Sequence, residues 1–155
     1  MSDESDEEDE PLSPEEEAKF EANKREADRA WEIEATRIFG PPEERMRKNQ
    51  RYANRLVARY SEPVIRGLLV ALSRLEKPLC AHWLSEIDLS TTPLAEIINP
   101  FEFCGNRFIV LSIVGMDYTV EISAGFGTAG DGGQFVFTRH GEAFVLKEKL
   151  GYWIY

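Results

Sequence analysis

Phe108-Ile-Val-Leu-Ser-Ile-Val-Gly-Met-Asp-Tyr-Thr-Val-Glu-Ile-Ser-Ala-Gly-Phe126 decides the fold. Its first seven residues, Phe108 to Val114, are apolar at both parities except for Ser112. That is the pattern of a strand covered on both faces, and it predicts a central strand. From Tyr118 the parity separates. Val120, Ile122 and Ala124 fall on one face, and Thr119, Glu121 and Ser123 on the other. A strand with one face on a core and one in water alternates in this way. Gly115-Met116-Asp117 between the two runs is a turn, so the strands are antiparallel neighbours.

Downstream, the sequence predicts a glycine-rich loop over residues 127–133. A hairpin follows, with strands Gln134–Thr138 and Ala143–Lys147 joined through Arg139-His140-Gly141-Glu142. Tyr152 to Tyr155 is a last short strand.

Before Phe101 the period is helical. Val64, Ile65, Leu68, Leu69, Leu72 and Leu75 make the broadest apolar face in the chain, which marks the core helix. Lys77-Pro78 ends it, and Ser61, as cap, with Pro63 in the first turn, begins it. A preceding helix from Glu43 to Tyr60 carries Tyr52, Leu56 and Tyr60 on one stripe. Ser13-Pro14-Glu15-Glu16 is a helix start with a capping box, and Gly40-Pro41-Pro42 is its stop. Phe20, Ala27, Trp31, Ala35 and Ile38 form the narrow apolar stripe of that first helix. Residues 79–88 read equally as short helix or loop. Thr91 or Thr92 is expected to cap a short helix through Ile98, closed by Asn99-Pro100. Helices first and strands afterwards define an α+β protein: N-terminal helices packed on one face of a C-terminal antiparallel β-meander of four to five strands.

Charge is as segregated as hydropathy. Residues 1–44 hold 17 of the 28 acids and 5 of the 18 bases; residues 45–59 hold six bases and no acid. Residues 1–12 are expected to be a disordered acidic tail, 13–42 a charged, solvated helix and linker, and 43–155 a single α+β domain. No basic, apolar leader and no spanning stretch occurs, and Cys80 and Cys104 are the only cysteines. A cytoplasmic protein with free thiols is the expectation.

Catalytic and cofactor motifs do not assemble. Gly125, Gly127 and Gly130 match G-x-G-x-x-G, but the match lies between two strands and opens no helix, so it lacks the dinucleotide-binding context. Cys80, His82, Cys104 and His140 have no compact metal-ligand spacing. No carboxylate pair or activated nucleophile stands out, and no cofactor or metal is expected. The strongest local feature is the basic stripe Lys48, Arg51, Arg55 and Arg59 on the second helix. At the C-terminus, Trp153 and Tyr155 are interface-type aromatics on a strand. These six residues are the candidate partner-binding set. The expected function is non-enzymatic protein–protein binding, as an adaptor or as an inhibitor of a basic target such as a nuclease or toxin. The acidic segment would steer that encounter. A nucleic-acid-binding module using helix 45–59 is the alternative, and a small-molecule enzyme without a recognisable motif is third. Membrane partners are not expected.

Overall fold

A computed structural model describes residues 11–101, 104–126 and 129–154. The chain divides into two compact units, Met1–Glu34 and Ala35–Tyr155. The first unit carries most of α1 (Pro14–Phe39), and from Pro14 to Ala30 every side chain is exposed. The Ser13 hydroxyl accepts from the Glu16 amide at 3.2 Å, and the Ser13 amide donates to the Glu16 carboxylate at 3.1 Å, the reciprocal capping box. Of the expected apolar stripe only Ala35 is fully buried; Phe20 and Ile38 are more than half exposed. Gly40 ends α1 with φ +95°, a left-handed conformation that glycine adopts without Cβ strain. The acidic-tail expectation lies on residues outside those described, apart from the exposed Pro11 and Leu12.

The second unit layers helices on a sheet. Its helices are α2 (Pro42–Tyr60), α3 (Glu62–Ser73), α4 (Leu79–Trp83) and α5 (Leu94–Ile97), with a 3₁₀ turn at Leu84–Glu86. The sheet is β1 (Cys104–Val114), β2 (Asp117–Phe126), β3 (Ala129–His140) and β4 (Ala143–Ile154), antiparallel throughout in the order β1-β2-β3-β4. This is the expected α+β meander. Ile65, Leu68, Leu69 and Leu72 of α3 form one buried cluster with Phe108, Val120, Ile122, Phe135 and Phe137 of the sheet. The outer sheet face carries a polar network: Glu121 accepts from Arg107 at 3.0 Å and Gln134 at 2.9 Å, and Asp117 from Thr138 at 2.8 Å and Lys147 at 2.5 Å. The Lys147 and Thr138 hydrogen bonds hold the Asp117 carboxyl below its usual range. No described helix is long and apolar enough to cross a membrane.

Five local expectations are corrected. β1 is an edge strand rather than a central one. Phe108 is buried in it, while Leu111, Ile113 and Val114 are exposed, so apolar character at both parities did not mean two covered faces. Residues 129–133 are strand, not loop: Gly130, Gly132 and Gly133 pair with Gly125, Ser123 and Ile122. Ala143–Lys147 and the C-terminal segment are one strand, with irregularities in the β3–β4 register that absorb the change in parity. The core helix ends at Ser73 rather than at Pro78, leaving Leu75 half-buried outside it. α5 begins after Pro93, not at a threonine cap.

Ser61, between α2 and α3, has φ 78° and ψ 151° and makes no side-chain cap hydrogen bond. That region of the backbone map belongs to glycine, and another residue there costs about 1–3 kcal/mol. After glycine's greater unfolded-state entropy is subtracted, Ser61→Gly should stabilise the body by about 1 kcal/mol. Urea denaturation checks it; a lower midpoint would mean that Ser61 is unstrained.

Candidate functional site: the basic face of the second helix

α2 is amphipathic for a local reason. Its first turn holds Glu43 and Glu44; its remaining charges are all basic. Ala53 and Leu56 point into the core. Tyr52 lies beside them, half-buried, and its hydroxyl donates to the Phe108 carbonyl of β1. Burial, more than any charge, pushes the Tyr52 phenol up to about 12. Tyr52 therefore locks α2 to the sheet edge and is not free to stack on a ligand.

Lys48, Arg51 and Arg55 form the neighbouring stripe of the helix, beside Tyr52. With Asn54, Pro100 and Phe101 they line an open depression of about 490 Å³. The segment after α5 closes it: Asn99 bridges to Arg107 of β1, and the Asn99 side chain accepts from the Phe101 amide at 2.8 Å, which turns Pro100 and Phe101 back toward α2. Phe101 packs against Phe39 with ring centroids 5.2 Å apart. Lys48 sits 5.9 Å from the Phe101 ring centroid and pairs with Glu44 at 3.4 Å. Arg51 and Arg55 are exposed and make no ion pair with a described residue.

The structure brings together three of the six sequence-derived candidates. Arg59, one turn beyond Arg55, lies outside the depression, and its guanidinium covers the Tyr60 ring at 5.3 Å. Trp153 belongs to a different surface. It pairs with Gly132, whose missing Cβ leaves space for the indole: a Cβ there would stand 2.7 Å from the ring. Gly132 thus makes room for one side of the Trp153 indole, which stays partly exposed. Tyr155 lies outside the described residues. Asn54, Pro100 and Phe101 were missed by sequence reasoning. Asn99-Pro100 reads correctly as a stop, but nothing local says that the chain after it returns to α2.

The other chemical candidates are not brought together among the described residues. Cys80 is fully buried, and burial together with the adjacent Asp131 carboxylate pushes its thiol far up, so it remains protonated at neutral pH. His82 and His140 are exposed, and among the described residues no group of three or more His, Cys, Asp or Glu is placed to hold a metal ion. Comparison with family models, with curated proteins and with solved structures finds no match.

Proposed function

We propose that this protein is a non-enzymatic protein-binding module, an adaptor or inhibitor, and that its partner lays an acidic segment into the α2 depression. The observation that carries this reading is the grouping of Lys48, Arg51 and Arg55 around an apolar floor of Pro100 and Phe101. Guanidinium groups with no intramolecular carboxylate form charge-assisted, often bidentate, bonds to an incoming carboxylate. An aromatic floor beside them adds apolar contact and a stacking surface for the guanidinium planes. The acidic residues 1–44 add a long-range attraction for basic surface on the same partner, and they repel nucleic acid and anionic lipid.

One observation favours the nucleic-acid reading: three cations and an amide beside Phe101 also suit a single strand, with phosphates on the cations and a base on the ring. Fluorescence anisotropy at ~150 mM salt separates the two, with a labelled poly-glutamate peptide and a single-stranded RNA oligonucleotide as probes. The peptide should bind, and Arg51→Glu with Arg55→Glu should weaken it at least ~10-fold with the circular dichroism spectrum unchanged. Binding of RNA but not of the peptide replaces the first reading with the second; binding of neither sinks both.

A further inference from the structure

We infer that the distal half of β1 is a self-association edge, where a second copy of this chain pairs antiparallel and joins two four-stranded sheets into one. The two outer strands of the sheet are β1 and β4. An outer strand presents a row of backbone N–H and C=O groups with no partner strand, and proteins normally guard such rows. The two halves of β1 differ in this respect. The proximal half is closed: the Asn99 amide donates to the Asn106 carbonyl at 2.8 Å, and the Tyr52 hydroxyl donates to the Phe108 carbonyl. Past Phe108, no described strand or bridge adjoins that edge.

The side chains there are apolar and in water. Leu111 is 45% exposed, Ile113 40%, Val114 74%, and Met116 in the following turn 54%. The opposite edge, β4, also carries exposed apolar side chains, Val145, Leu150 and Ile154 among them, but the exposed charges Lys147, Glu148 and Lys149 interrupt them, which is the usual guard of an edge. No charged residue occurs between Phe108 and Met116.

That neutrality singles out a second copy as the occupant. The chain carries a net charge of −10, so most encounters between copies bring like charges together. At this edge they do not. The nearest flanking charges, Arg107 and Asp117, are already paired within the chain, with Glu121 at 3.0 Å and Lys147 at 2.5 Å, so the edge brings no unpaired charge to a second copy. The bulge between Val110 and Ser112 sets the register. Beyond it Ile113 lies opposite Tyr118, on the core side, and Val114 opposite Asp117, on the outer side. A two-fold axis through Ile113 therefore sets Ile113 against its own copy and Val114 against Ser112, with every pair on a matching face. The interface is isologous, one patch used twice. The bulge keeps the pairing short and the patch to a few hundred Å² per copy, the small end of interfaces. The dimer should be weak, with a dissociation constant on the order of 10–100 μM.

Sedimentation velocity on the full chain, from ~1 to ~300 μM, tests this. The wild type should shift from monomer to dimer over that range. Val114→Lys, at a residue exposed enough to leave the fold intact by circular dichroism, should weaken association at least ~10-fold. Val145→Lys, the equivalent change on β4 at a residue 52% exposed, should leave it unchanged. Exchange of the Ile113 amide should slow as concentration rises, which contact through side chains alone would not produce. A wild type that stays monomeric, or a dimer that survives Val114→Lys, overturns the proposal, as does a dimer lost only with Val145→Lys.

Discussion

Leu68→Ala should cost the body about 3–5 kcal/mol, the upper part of the range for a buried leucine. Leu68 is fully buried and lies at the middle of α3. Its neighbours on the same face, Leu69 and Leu72, are fully buried too, and the facing sheet contributes Phe135, Phe137 and Phe108, each 1% exposed or less. Aromatic rings held on a sheet cannot collapse into the space that a lost isobutyl group leaves, so the cavity persists and its cost is added to the lost transfer free energy. α3 is also held close. At Gly67 an added Cβ would lie 2.9 Å from the Phe144 ring and 3.3 Å from the Glu142 carbonyl, which limits how far the helix can sink. A domain of this size is stable by about 5–15 kcal/mol in total, so the loss is a large share. Urea denaturation at two wavelengths measures it. Leu75→Ala, at the half-buried position past the end of α3, is the internal comparison and should cost much less. Equal midpoints for wild type and Leu68→Ala would remove α3 as the energetic centre.

What could be read from the sequence is what depends on near neighbours in the chain. The capping box of α1 forms between residues three apart, and Gly40 stops the helix through its own φ. The polar–apolar alternation of β2 needs only the helical layer on one side. The basic stripe of α2 was legible because helical spacing puts Lys48, Arg51 and Arg55 on one side without any tertiary information.

The misreadings within the sheet share one cause: the identity of a strand's neighbour is not written in the strand. β1 is apolar at both parities, the pattern of a buried central strand, yet it forms an edge whose outer half is open. Gly130, Gly132 and Gly133 have the composition of a loop. They stand in a strand because of what approaches them: the Trp153 ring at Gly132, and the Phe135 ring and the Gly151 carbonyl at Gly133. The same contact covers one side of Trp153, which looks from the sequence like an anchor for another protein and stays partly exposed. The depression was half legible for a similar reason. Its cations come from one helix, but its floor comes from residues some fifty positions away, delivered by the Asn99 bridge to β1.

Asp131 is the residue whose importance is least visible in the sequence, where it stands among glycines. It is 7% exposed, and its carboxylate accepts from the Leu79 amide at 2.5 Å, the Cys80 amide at 3.1 Å and the Tyr152 hydroxyl at 3.3 Å. The two amides are the first of α4, a helix of five residues with no side-chain cap of its own from Pro78. Asp131 takes over that role from the sheet, and so ties α4 to β3 and, through Tyr152, to the end of β4. Desolvation, followed by the charge of Asp131, raises the Tyr152 phenol above its ordinary range, so the hydroxyl remains a donor. Removing the carboxylate leaves two amide donors at a helix start without their acceptor, at about 1–3 kcal/mol for a buried unsatisfied group. Asp131→Ala should therefore destabilise by about 2–4 kcal/mol. Asp131→Asn, which keeps one acceptor oxygen and loses the charge assistance, should lose about 1–2 kcal/mol. Chemical denaturation gives both values. Amide exchange gives the location: in Asp131→Ala the α4 amides of residues 80–83 should lose protection well before those of α3. Equal loss across both helices would mean that α4 unfolds only with the whole body and that Asp131 is no local clamp.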